Sequence, residues 1–144
     1  MAIPDRRVKR FVEDRDSRVS VGLDLPVARK AGDNQGYFAT TKTTMEAVKN
    51  DIKLLLMTQR GERLMQPFLG MNIRRFLFEQ ITEDTAVEIE NDIVETFETW
   101  LPFVQLQELD VDLGNQDKNQ IKINITFNIR NAPTDLQSVG VVLE

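Results

Sequence analysis

The spacing of apolar residues changes at Pro102, and this change constrains the fold more than any other feature of the sequence. In the predicted helices between residues 43 and 100, apolar residues recur every three or four positions, as on one face of a helix. After Pro102 they alternate with polar residues, as in a strand with one buried face. Helices followed by strands are typical of an α+β fold. We predict an extended N-terminal arm at 1–40 and a single α+β domain at 41–144, in which three helices pack on a small antiparallel sheet of two to three strands.

The arm shows no sustained period and is rich in charge, proline and glycine. A short alternation of apolar residues at 19–25 is compatible with a strand that gains its order from a partner or from the domain surface. The alternative is a tail without fixed structure.

The helical half divides into three predicted helices. The first begins at an N-cap, Thr43 or Thr44, and runs to about residue 60, where Gly61 can end it with a left-handed backbone. An ordered loop at 61–70 leads to a short second helix, whose predicted buried residues are Ile73, Phe76 and Leu77. The third helix begins after the N-cap Thr82 and ends before the proline, with an apolar stripe at Ala86, Ile89, Ile93, Phe97 and Trp100.

Two strands joined by a hairpin turn are predicted next. The first, at 104–113, alternates with a one-residue slip near Glu108 that indicates a β-bulge. The second covers 121–129 and alternates cleanly, and the polar segment at 114–119 is a natural hairpin connection.

A third, shorter strand is predicted at 139–143, because Ala132 and Pro133 are expected to end the second strand. Its sequence, VGVVL, lacks the charges that usually protect the edge of a sheet. This strand is therefore predicted to accept or donate a strand in another chain. Deleting 139–143 is predicted to block that pairing while leaving the helical part folded.

The sequence contains neither cysteine nor histidine. Disulfides, thiolate nucleophiles, imidazole bases and metal sites built on these residues are therefore excluded. No phosphate-binding glycine motif is present, and we predict no cofactor and no metal. No apolar run approaches the roughly 20 residues that span a bilayer, and no apolar segment follows the basic residues at the amino end, so we predict neither membrane contact nor export.

The charge distribution favours protein partners. A net charge of -5 and a pI of about 4.9 argue against nucleic-acid binding. Basic residues cluster at the amino end, whereas the segment 82–100 carries acids and no base. This acidic helix face suits a basic partner, although such runs are more often solvated surface.

Glycoside hydrolysis is the enzymatic mechanism that this composition permits most easily, because two carboxylates suffice. The candidates are Glu62 in the predicted loop and Glu79 after the short helix. Both also suit ion pairs with nearby arginines that would hold the loop in place. We favour the interpretation that Glu62 and Glu79 hold the loop through ion pairs over the interpretation that they are catalytic.

An L-x-T-x-x-G-x-R pattern ends the first predicted helix, and a proline, a glycine and an LFE triplet follow it. These residues are Leu56, Thr58, Gly61, Arg63, Pro67, Gly70, Leu77, Phe78 and Glu79. The block at 50–79 that contains them resembles the baseplate wedge and sheath-initiator family of contractile phage tails, which includes a baseplate component of type VI secretion. The acidic helix and the terminal hairpin follow in the family's order, so the resemblance covers about residues 40–144.

The resemblance implies a non-enzymatic structural subunit of the baseplate wedge that starts polymerisation of the tail sheath. The contacts it implies with other wedge proteins are Gly61, Glu62, Arg63, Pro67, Gly70, Leu77, Phe78, Glu79 and Pro102. The C-terminal strands are similar to the linking domain of a sheath subunit, with sheath contacts at Val139, Val141 and Leu143. Tail tube or hub proteins are further implied neighbours. Several copies would lie in a six-fold baseplate of the virion tail, assembled in the host cytoplasm.

The chain departs from the family's pattern after the acidic helix. The family commonly carries Glu-Pro-Arg there, whereas this chain has Leu101, Pro102 and Phe103, so only the proline matches. A wedge contact made elsewhere by those charges is here apolar, relocated or absent. The family has also been called lysozyme-like, so a carboxylate-based peptidoglycan hydrolase of the tail is the alternative function. A generic adaptor that shares only the α+β layout is the third.

Overall fold

A computed structural model of the protein describes residues 11, 13–16, 18–29, 37–78, 82–112 and 120–143. The chain separates into two compact units, Met1–Asp51 and Ile52–Glu144. Helices and antiparallel strands are both present, which confirms the predicted α+β class.

The first unit is a short two-stranded sheet with the beginning of a helix. Strand β1 (Gly22–Leu23) pairs antiparallel with β2 (Thr40–Thr41), and helix α1 (Thr44–Met57) follows. A 3-10 turn lies at Glu13–Arg15. The strand predicted at 19–25 is therefore present but shorter than the alternation suggested.

Side chains far apart in sequence hold this unit together. The Asp14 carboxylate accepts hydrogen bonds from the backbone N–H of Thr44 at 2.7 Å and from its hydroxyl at 2.8 Å. The Asn50 amide, buried on α1, donates to the carbonyl of Leu23 at 3.1 Å and to the Asp24 carboxylate at 3.3 Å. The described part of the predicted arm is thus hydrogen-bonded to the first turns of α1.

Both ends of α1 have identifiable causes. The hydroxyl of Thr43 accepts the backbone N–H of Glu46 at 3.3 Å, so Thr43 is the N-cap. The helix ends at Met57, earlier than predicted, because the carbonyl of Thr58 accepts the N–H of Met71 at 2.9 Å instead of continuing the helical pattern. Gly61 has the expected positive φ of 88°, but it lies in the turn beyond the helix end.

The carboxyl group of Asp51, on α1, is expected to make the stability of the fold depend on pH. Partial burial raises the pKa of its carboxyl above the ordinary value, because burial disfavours the charged form. The folded state therefore binds this proton more tightly than the unfolded state, and the associated stability is present below the ordinary pKa of about 3.9 and lost as the pH rises through the folded value. We expect Asp51→Asn to be more stable than the wild type at pH 7.

Urea unfolding of the two proteins at several pH values checks this expectation. The advantage of Asp51→Asn should shrink as the pH falls towards 4 and disappear at about pH 3. An advantage that stays constant over this range would mean that titration of Asp51 is not its cause.

In the second unit, a short helix and a long helix precede a three-stranded sheet. Helix α2 is Ile73–Phe76 and α3 is Glu83–Trp100. Residues Ile73, Phe76 and Leu77 are buried while Arg74 and Arg75 are exposed, as predicted. The predicted N-cap is also confirmed, because the Thr82 hydroxyl accepts the backbone N–H of Thr85 at 3.4 Å. The Thr85 hydroxyl in turn accepts the backbone N–H of Thr82 at 3.3 Å.

The sheet is antiparallel with the strand order β3-β4-β5, so β4 is central and the other two strands form the edges. Strand β3 is Val104–Asp112, β4 is Ile121–Ile129 and β5 is Ala132–Leu143. The predicted bulge is confirmed by a register shift between Leu106 and Glu108. The predicted hairpin turn at 114–119 lies outside the described residues.

The core of this unit lies between α3 and one face of the sheet. Helix α3 packs against β3. The buried residues of α3 include three members of the predicted stripe: Ile89, Ile93 and Phe97. The central strand contributes Ile121, Ile123, Ile125, Phe127 and Ile129. Alternation in the sequence therefore identified the buried face of the sheet correctly.

The prediction for the last strand was wrong in its length. Strand β5 begins at Ala132, which pairs with Ile129, rather than at residue 139. Pro133, which was expected to end the second strand, lies inside β5. An edge strand tolerates proline because one row of its N–H groups needs no partner in the sheet. The carbonyl of Pro133 also accepts the side-chain amide of Asn128 at 3.0 Å.

Candidate functional site

The loop at 58–72, which connects α1 to α2 and is called the α1–α2 loop below, is held by its own backbone. The N–H of Gly61 donates to the carbonyl of Pro67 at 2.7 Å, and the Met71–Thr58 bond closes the base of the loop. Hydrogen bonds of this kind across a loop give it a defined shape. The predicted wedge contacts that lie in this loop are therefore held on a defined backbone.

Two side chains reinforce the same loop. The Arg60 guanidinium donates from Nε to the carbonyl of Gly70 at 3.2 Å. The Glu62 carboxylate accepts the N–H of Gln59 at 3.0 Å. The sequence predicted that Glu62 would fix the loop through an arginine, but the bond that the structure shows is to the main chain. Arg75, one of the nearby arginines, is paired with Glu88 of α3.

Glycine is required at Gly70 for two reasons. Its φ is +105°, a backbone conformation that other residues rarely adopt. A Cβ there would also lie 2.2 Å from the carbonyl oxygen of Thr58. Gly61 has a positive φ too, but a Cβ at that position meets nothing within 4 Å. The close approach at Gly70 thus allows the two ends of the loop to meet.

The predicted wedge residues differ in their exposure. Glu62, Arg63 and Pro67 are exposed on the α1–α2 loop, as are Phe78 and Pro102 elsewhere. Leu77 is buried, so its side chain belongs to the core and is not available to a partner. Glu79 lies outside the described residues. The structure therefore brings Gly61, Glu62, Arg63, Pro67 and Gly70 together in one loop and places Pro102 in the turn after α3.

Three highly exposed apolar residues of this unit were not among the predicted contacts. Leu64, Met65 and Phe68 lie on the α1–α2 loop with 96%, 92% and 79% of their surfaces exposed. The available signal was a set of apolar residues between two glycines, Gly61 and Gly70, that match neither a helical nor a strand period.

A groove lies beside this loop, with a volume of about 200 Å³. It is lined by Arg60, Phe68, Glu95, Thr96, Thr99 and Trp100. Of these, only Glu95 was weighed as a contact from the sequence, as part of the acidic helix face. The groove itself was not predicted, because the loop and the end of α3 approach each other only in the folded unit.

The predicted sheath contacts lie on the edge strand β5. Val139, Val141 and Leu143 pair with residues of β4, and their side chains are buried. Within the described part of the chain, β5 pairs only with β4. Its outer edge therefore presents backbone N–H and C=O groups, while its apolar side chains stabilise the core.

The described residues contain no group of three or more acidic side chains that could hold a metal ion. Of the two carboxylates considered for hydrolysis, only that of Glu62 is described, because Glu79 lies outside the described residues. Among the described helices, none is both long and apolar enough to cross a membrane.

Comparison with solved structures shows the same fold in several proteins. A protein from Geobacter sulfurreducens, described provisionally as a tail lysozyme, has a TM-score of 0.64 and 25% identity, with 72% of this chain and 93% of that chain covered. A chain of the anti-feeding prophage baseplate has a TM-score of 0.56 and 22% identity, with 83% of this chain and 81% of that chain covered. A chain of the type VI secretion baseplate complex has a TM-score of 0.53 and 13% identity, with 69% of this chain and 91% of that chain covered.

Among curated proteins, none has a significantly similar sequence. The model of the family described as baseplate wedge protein gp25 matches residues 42–134. This match covers more than half of the chain and includes the α1–α2 loop, α3 and most of the sheet. The chain therefore belongs to the baseplate wedge protein gp25 family and is a wedge component of a contractile-tail baseplate.

Proposed function

We propose that this wedge component initiates polymerisation of the tail sheath and links to sheath subunits through its C-terminal sheet. The observation that carries the proposal is the edge position of β5. Among the described residues no further strand pairs with its outer side, while its buried side chains hold the strand in place. Strand addition to such an edge uses main-chain hydrogen bonds, which suits a part that must bind extended arms of several identical protomers.

The proposed partners are the tail sheath protein, other wedge proteins and neighbouring tube or hub proteins. The α1–α2 loop supplies the contact with wedge proteins, through the exposed residues Glu62, Arg63 and Pro67. The proposed location is the baseplate of a six-fold tail, in multiple copies, after assembly in the host cytoplasm. No nucleic acid, membrane or cofactor is involved.

Electron cryomicroscopy of assembled particles tests this proposal directly. The chain should lie between the wedge and the first sheath ring, with an extended segment of a sheath subunit hydrogen-bonded to the outer edge of β5. A position elsewhere in the particle, or a first sheath ring that makes no contact with this chain, would contradict sheath initiation.

Peptidoglycan hydrolysis remains the alternative, since one protein with the same fold is described as a tail lysozyme. We propose a non-enzymatic role because the Glu62 carboxylate hydrogen-bonds to the main chain of its own loop. The purified chain is expected not to clear peptidoglycan. Clearing activity that is lost in Glu62→Gln or Glu79→Gln would reverse this assignment.

A further inference from the structure

The α1–α2 loop exposes apolar surface on a fixed framework. Leu64 and Met65 are almost entirely exposed, although the loop around them is closed by the Gly61–Pro67 and Met71–Thr58 hydrogen bonds. Clustered exposed apolar residues mark sites of protein contact. A loop that already has its shape also loses little conformational entropy when a partner binds.

The groove beside the loop contains an unsatisfied polar group. Thr96 is 2% exposed, and its hydroxyl has no hydrogen-bond partner within the described parts of the chain. By contrast, the neighbouring Thr99 hydroxyl donates to the carbonyl of Glu95 at 2.9 Å. A buried hydroxyl without a partner lowers stability, so its presence on a groove wall points to a group that arrives from outside.

The remaining walls indicate what kind of group fits. Phe68 and Trp100 offer aromatic surface for an apolar stem. Arg60 and Glu95 carry opposite charges, so attraction of a charged tip by one of them is offset by repulsion from the other, and the lining favours neither sign of charge. A neutral amide can donate to a carboxylate or hydroxyl and accept from a guanidinium, so it suits all of these groups.

We propose that the α1–α2 loop and this groove form one docking surface for a polypeptide segment of a neighbouring baseplate protein. The segment covers Leu64 and Met65 and inserts a glutamine or asparagine side chain between Phe68 and Trp100, where its amide meets Thr96. This inference rests on the proposed function, because it requires an adjoining baseplate subunit. It names an apolar contact with a neutral amide, whereas the sequence resemblance implies contacts through the loop's charged and turn residues.

Competitive incorporation of Thr96→Val tests the groove. The variant keeps the branched shape of the side chain and removes only the hydroxyl. Because that hydroxyl has no partner among the described residues, the variant should unfold at the same or a higher urea concentration than the wild type. When both chains are produced together in cells that assemble particles, the variant-to-wild-type ratio in purified particles should fall about tenfold.

A matched pair of surface variants tests the loop. Met65→Ser should lower incorporation by about tenfold, as expected for an apolar anchor at an interface. Val87→Ser removes an exposed apolar side chain from α3 and should be incorporated like the wild type. Equal incorporation of Met65→Ser and Val87→Ser, or undiminished incorporation of Thr96→Val, would overturn the docking surface.

The occupant is identified by a photo-crosslinking amino acid in place of Met65 in assembled particles. A crosslink to a segment of another wedge protein that carries glutamine or asparagine supports the proposal. A crosslink to a second copy of this chain, to a segment without such a residue, or to nothing overturns it while leaving wedge membership intact. If the wild-type chain is absent from sheathed particles, both this inference and the proposed function fail.

Discussion

Adding two lysines to the outer strand β5, as Leu136→Lys with Ser138→Lys, is expected to prevent sheath growth. Both residues are exposed, and Ser138 faces the neutral Thr126 on β4, so the added charges avoid the core. Lysines on an edge strand oppose pairing with a further strand. The yield of sheathed particles should fall at least about tenfold, which corresponds to about 1.4 kcal/mol of lost association free energy.

The opposite edge of the sheet provides the control. Gln105→Lys with Gln107→Lys adds the same charge to exposed positions of β3. Electron micrographs of particles carrying this control should show normal sheaths, and both variants should enter baseplates equally. Normal sheaths on Leu136→Lys with Ser138→Lys would exclude strand addition at β5, and loss of sheath only in the control would move the contact to β3.

Deletion of 139–143 is a weaker test than the sequence suggested. The deleted segment contains Val139, Val141 and Leu143, whose side chains are buried against the central strand. Full burial of one such side chain contributes about 1.5–3 kcal/mol. The deletion would therefore weaken the core of the sheet, so that loss of sheath assembly could reflect unfolding rather than a missing edge.

Gly70→Ala is expected to lower the free energy of unfolding by about 2–3 kcal/mol. The left-handed backbone alone costs a residue with a Cβ about 1–2 kcal/mol. In addition, the new methyl group would displace the Thr58 carbonyl, 2.2 Å away, and break its hydrogen bond with Met71 at a further cost of about 1 kcal/mol. Urea unfolding followed by circular dichroism measures the loss.

Gly61→Ala is the matched control for this effect. Gly61 also has a positive φ, but a Cβ there meets nothing within 4 Å. Only the backbone cost of about 1–2 kcal/mol should remain. If the two variants lose the same stability, the close approach between Gly70 and Thr58 contributes nothing to holding the loop.

Local patterns in the sequence were sufficient for much of this fold. The Thr82 cap, the buried face of α2 and the alternation of β4 were all predicted, because each depends on residues within a few positions of one another. The bulge near Glu108 was predictable for the same reason, since a one-residue slip in alternation is visible in the strand itself.

The candidate site was only partly predictable. Family resemblance identified the α1–α2 loop, and its glycines indicated turns. The resemblance placed Leu77 among the wedge contacts, although helical spacing had already predicted its burial. Neither signal revealed that Leu64 and Met65 are exposed. In a loop without periodicity the sequence carries no information on which side chains face the core, because that depends on where the rest of the unit lies.

By itself, the sequence determined the order of helices and strands, the α+β class and the absence of cysteine and histidine chemistry. Only the tertiary structure decided that α1 ends at Met57, that β5 begins at Ala132 and that Thr96 and Phe68 line one groove. The physical reason is the same in each case. Periodicity reports burial along one segment, whereas the Thr58–Met71 hydrogen bond, the pairing of β5 with β4 and the groove all join segments that are distant in sequence.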